Sequence, residues 1–186
     1  MGRRARAGYF EPVDGGGAAI ALDDVEISIL RSLAVQLLEL IGPGEQPADA
    51  DEDPLAALFT DGPTKPPSDP ALARLFPDAY EESADASEFR RFTENDLRTR
   101  KREDALAMVR VLDGGGPVLQ LTAEQAGRWL GGLNDLRLTI GTRLEVSEDE
   151  SDELYHLPEG DPRKPLVMAY LWLGGLQESL VDALMG

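Results

Sequence analysis

The segment from Thr122 to Leu144 constrains the fold more than any other, because it is apolar around most of a helical circumference. Placed at about 100° per residue, Trp129, Leu133, Leu136, Ile140 and Leu144 share one side, and Leu130 and Leu138 widen the arc. Gly127, Gly131 and Gly141 fall with them and leave room for a neighbouring backbone. Arg128, Gly132, Asp135, Thr139 and Thr142 make a narrow polar strip. A helix patterned in this way sits at the centre of a domain, with other elements packed around it.

The other elements follow from their start and stop signals. Asp23 is an N-cap whose capping box is completed by Glu26. Ile27, Leu30, Leu33, Leu37, Leu38 and Ile41 recur at helical spacing until Gly42–Pro43. A long helix is predicted from about Ser87 to Leu112, ending at Asp113 and three glycines. Thr122 with Gln125 opens the central helix with a second capping box, and a last helix covers roughly Pro165 to Met185. Gly15 to Leu22 and Gly114 to Leu121 both read as glycine turn, short alternating strand and N-cap. They predict two short strands that are candidates to pair, with Tyr9 to Val13 as a candidate hairpin partner for the first. The predicted fold class is mainly α: a compact helical domain with one or two short β-strands or a small hairpin.

Residues 1–186 are expected to form a single helical domain, with 42–68 a Pro-rich acidic flexible insertion. Seven of the 13 prolines lie between Gly42 and Pro70, beside the run Asp49, Asp51, Glu52 and Asp53, which resists burial. One helical turn, Pro54 to Phe59, is expected within it. Glu148 to Glu153 reads as a second acidic, solvated loop; its spacing matches no EF-hand.

Arg137 breaks the pattern of the central helix, because it lies within the apolar arc between Leu133 and Ile140. A buried guanidinium requires a partner, so a structural ion pair is expected, with Glu178, Glu94 or Asp96 as the carboxylate. Loss of such a pair costs about 3–5 kcal/mol. The competing reading makes Arg137 the lining of a ligand pocket. On the long helix, Arg90, Arg91, Arg98, Lys101 and Arg102 fall on an arc of roughly 120°, with Glu94 inside it spaced to pair with its neighbours. This basic stripe is the candidate protein-binding surface, suited to an acidic partner, including the chain's own acidic insertion.

Charge and chemistry narrow the function. Lys plus Arg is 18 against 35 acidic residues, a net charge of −17. A field of that sign repels phosphate, which disfavours autonomous DNA or RNA binding and an anionic membrane surface. There are no cysteines, so disulfides, thiol redox chemistry and thiolate metal sites are excluded. His156 is the only histidine, and no typical zinc site is expected. No P-loop, G-x-G-x-x-G or G-x-S-x-G motif is present. The expectation is a non-enzyme that uses no cofactor and no metal. The basic N-terminus lacks the apolar run of a signal peptide. Pro165 to Leu176, the longest apolar stretch, is short of the roughly 20 residues that span a bilayer, so a cytoplasmic location is expected.

Four segments together carry a family resemblance. They are Asp69 to Tyr80; Glu88-Phe89-Arg90-Arg91 through Asp96-Leu97-Arg98; Trp129-Leu130 through Leu133-Asn134-Asp135-Leu136-Arg137-Leu138 to Gly141-Thr142-Arg143-Leu144; and Tyr170-Leu171 with Gln177-Glu178. The chain resembles an actinobacterial domain-of-unknown-function family, commonly encoded beside the proteolytic adaptor ClpS and cysteine-biosynthesis genes, that includes AosR-like oxidative-stress regulators. The Asn134 to Arg137 segment is the most specific part. The resemblance implies a regulatory role exerted through protein contact and linked to transcription; with the absence of catalytic motifs, the expected function is a non-catalytic regulatory, protein-binding domain. It brings no catalytic residues, and cysteine-based sensing does not carry over to a chain without cysteine. The alternative is a small-molecule-binding or hydrolytic domain with a pocket around Arg137.

Overall fold

The computed structural model describes residues 7–43, 62–147 and 151–186. The elements in chain order are β1 (Glu11–Val13), β2 (Gly17–Ala21), α1 (Asp24–Ile41), α2 (Pro70–Leu75), α3 (Ser83–Gly114), β3 (Val118–Leu121), α4 (Ala123–Arg143), α5 (Ser151–Leu154) and α6 (Lys164–Met185). The protein is mainly α, with one small sheet.

The predicted strands pair in one antiparallel sheet of order β1-β2-β3, with Glu11 opposite Ala19 and Ile20 opposite Leu119. Three consecutive glycines make the β1–β2 turn possible. Gly15 and Gly16 hold φ of +94° and +85°, where a side chain is strained, and a Cβ on Gly17 would collide with the Leu121 carbonyl. β3 alternates as its sequence suggests, with Leu119 and Leu121 turned into the core and Val118 and Gln120 outward.

Both capping boxes form. The Asp23 carboxylate accepts from the Glu26 N–H, the Thr122 hydroxyl accepts from the Gln125 N–H, and each N3 side chain answers the cap's own N–H. α4 is central: α1, α2, α3 and α6 pack around it and the sheet lies across it. Trp129, Leu133, Leu136, Ile140 and Leu144 are all buried, and Phe10 meets Trp129 edge-on at 5.9 Å.

Several expectations change. α3 starts at Ser83, ahead of the expected Ser87, and α2 is a helix capped by Asp69 with Pro70 in its first turn. The polar strip on α4 is buried in part. Gly132 and Asp135 are buried against α3, Gly132 facing the Met108 side chain and Gly131 the Asp104 side chain. Gly141 receives the Tyr170 ring, Gly174 borders the Arg137 guanidinium, and Gly175 faces open space.

Within the Pro-rich stretch, residues 44–61, and with them the turn expected at Pro54 to Phe59, lie outside the described residues. Residues 62–68 approach α3, where the Gly62 N–H donates to the Arg91 carbonyl at 2.9 Å. Of the second acidic loop, 148–150 are likewise outside, and Ser151–Leu154 forms one helical turn. Among the described residues, no helix is long and apolar enough to cross a membrane.

Candidate functional site

The basic stripe of α3 does not face solvent as a stripe. Arg90, Glu94 and Arg98 are only 5%, 3% and 7% exposed. Arg90 donates to Glu94 at 2.9 Å, to Asp78 at 2.8 Å and to the Phe76 carbonyl at 2.9 Å. Arg98 lies 4.0 Å from Glu94, donates to the Ile41 carbonyl and stacks over the Phe76 ring at 4.5 Å. Arg102 reaches the Leu38 carbonyl at 3.2 Å. α1 has no basic residue in its last turn, so the guanidinium groups of Arg98 and Arg102 meet its C-terminal carbonyls and the negative end of its dipole.

Lys101 points the other way, into the α3–α4 interface, and holds Asp135 at 2.7 Å. Burial pushes the Asp135 carboxyl above the usual carboxylate range, opposed by Lys101. Burial also raises Asp104, against the pull of Arg128, with the Asp135 charge adding to the rise. Arg91 is half-buried, with its guanidinium 4.5 Å from the centre of the Phe92 ring. The surface expected to receive an acidic partner is therefore mostly the seam that locks α3 onto α1, α2 and α4. Its signal is present in the sequence: Ala86, Arg90, Glu94, Arg98, Lys101, Ala105, Met108 and Leu112 fall within roughly 120° of arc, so the charges continue the core stripe.

Arg137 has no carboxylate partner among the described residues. Its Nη1 donates to the Gln177 side-chain oxygen at 2.9 Å, and the guanidinium lies 5.3 Å from the Tyr170 ring. Of the three expected partners, Glu94 belongs to Arg90 and Arg98, Asp96 is exposed on α3, and Glu178 shares a cleft with Arg137 without pairing to it. The expected ion pair is absent because α6 presents Gln177, not Glu178, to the guanidinium. Two clefts meet at Arg137 and Tyr170. One, of about 680 Å³, runs between α4, α5 and α6. The other, of about 760 Å³, opens towards Glu145, Val146 and Ser147.

Elsewhere, an aromatic patch stands out on the N-terminal half of α3. Tyr80, Phe89 and Phe92 are exposed, and Tyr80 meets Phe89 edge-on at 5.6 Å. The sequence signals this surface only through Phe89 and Phe92 flanking Arg90 and Arg91.

The structure thus defines a mainly helical domain whose longest helix is fixed by buried arginine–glutamate contacts and whose central helix opens onto a cleft at an arginine. The chain belongs to the family described as Domain of unknown function (DUF2017), whose model matches residues 5–184. It is 30% identical over 190 residues to the oxidative stress regulator AosR of Mycobacterium tuberculosis, covering 95% of this chain and 86% of the relative. It is 31% identical over 175 residues to a putative oxidative stress regulator AosR of Mycobacterium leprae, covering 86% of this chain and 79% of that protein. No solved structure matches.

Proposed function

We propose that this chain is a non-catalytic regulatory domain of the cytoplasm that acts through protein contacts, linked to transcription and without DNA binding of its own. The observation that carries the proposal is its similarity, over 95% of its length, to proteins named oxidative stress regulators. The contact surface is relocated from the basic stripe to the exposed aromatics beside it. Aromatic side chains with a neighbouring arginine are the residue types that dominate interface energetics, and Tyr80, Phe89, Phe92 and Arg91 supply that combination.

The test is affinity capture from native lysate with wild-type bait and with a Tyr80→Ala, Phe92→Ala double variant. Both positions are exposed, so the variant is expected to melt with the wild type while losing its captured partner. Arg98 is unsuitable for this purpose, since a charge reversal there faces Glu94 and reports on folding. Equal capture by both baits would reject this surface.

A second reading, a ligand-binding domain, is favoured by one observation. Arg137 opens onto a cleft of about 680 Å³ and lacks a carboxylate partner among the described residues. That volume is within the range of small-molecule sites, roughly 300–1,000 Å³.

A further inference from the structure

We infer that the cleft between α4, α5 and α6 takes a zwitterion of the amino-acid class, its carboxylate on Arg137, its ammonium facing Glu178 and Asp182, and an apolar side chain against Leu154, Leu171 and Val181. This rests on the second reading above, that the Arg137 cleft is a ligand site, and names its ligand.

A guanidinium offers five N–H groups in a planar fork, and Arg137 spends one of them, on the neutral oxygen of Gln177. Tyr170 and Gly174 lie against it, so it is held in place, and no carboxylate among the described residues neutralises it. A pre-positioned, charged fork with free donors matches a carboxylate better than any neutral group does.

Charge then narrows the ligand. Among the described residues, the cleft presents one cation, Arg137, and two exposed carboxylates, Glu178 and Asp182, one turn apart on α6. A simple anion would meet Arg137 but also the field of both carboxylates and of a chain carrying −17. A simple cation would meet Arg137. A molecule bearing both charges satisfies both ends. The remaining walls are aliphatic and aromatic, and α6 keeps a glycine, Gly175, where open space lies above the helix.

Calorimetric titration of the full chain tests this with L-phenylalanine and its two halves, hydrocinnamate (carboxylate only) and phenethylamine (ammonium only). Phenylalanine is expected to bind, with each half at least about tenfold weaker, as for loss of a charged contact. Arg137→Gln should abolish binding. Gly175→Phe, a substitution into open space, should block the cleft while leaving the melting temperature unchanged. It thus remains informative even if Arg137→Gln fails to fold. The double variant Glu178→Gln, Asp182→Asn should erase the preference for phenylalanine over hydrocinnamate. Hydrocinnamate binding as tightly as phenylalanine, and lost in Gly175→Phe, would overturn the zwitterion while keeping the ligand site. No heat from any compound at millimolar concentration, or binding undiminished in Gly175→Phe, would overturn both.

Discussion

Glu94 is held between two arginines in the interior, and its environment differs sharply from that of Arg137, though both are charged residues on apolar arcs. Glu94 accepts from Arg90 at 2.9 Å and lies 4.0 Å from Arg98, and all three side chains are buried. Removing one partner of a buried charge network leaves the others unpaired, so Glu94→Ala is expected to destabilise the fold by about 3–5 kcal/mol. Arg137→Ala is expected to cost only about 1–2 kcal/mol, because what it loses is one neutral-acceptor hydrogen bond and a contact with an aromatic ring. Urea denaturation of both variants checks the contrast. Equal losses would mean that Arg137 is held by more than Gln177 and Tyr170. The sequence shows that Arg137 is anomalous but not how it is resolved, since Gln177 and Glu178 are adjacent and one residue of helical phase decides which faces inward.

At the scale of elements, the α3–α4 interface contains two carboxylates, Asp104 and Asp135, both raised by burial. A carboxyl whose folded value is raised contributes stability below its unfolded value and loses that contribution as pH rises through the folded value. Asp104→Asn cannot ionise. The variant should therefore gain stability relative to wild type as pH climbs from the ordinary 3.8 towards neutrality, read from denaturation midpoints at stepped pH. A constant difference across that window would show that Asp104 is not desolvated. Asp69 and Asp113, held down by Arg143 and Arg31, act in the opposite sense and lose their contribution as pH falls.

The elements themselves were largely legible. Asp23 with Glu26 and Thr122 with Gln125 fix two helix starts, and the glycine runs fix the turns around the sheet, because caps and turns are set by local chemistry. The α3 arginines were legible only as a continuation of the core stripe, not in the partners that hold them. Spacing places a charge on a face, but only the neighbours decide whether that face meets water or the carbonyls of Ile41 and Leu38. The aromatic patch and the cleft depend in the same way on packing between elements distant in sequence.

For the whole molecule, the net charge of −17 is the property most at odds with a nucleic-acid role, and the structure adds to it. Arg90, Arg98, Lys101 and Arg102, four of the five cations of the α3 stripe, are occupied by Glu94, Asp135 and backbone carbonyls. Phosphate contacts supply most non-specific affinity, and these four side chains are already engaged within the fold. On the proposed function, any transcription-linked effect runs through a partner protein. The most direct test is repeated binding selection on a pool of randomised duplex DNA with the purified chain at physiological salt. No sequence is expected to be enriched over the starting pool. A single enriched motif, bound at submicromolar concentration by this chain alone, would contradict this expectation.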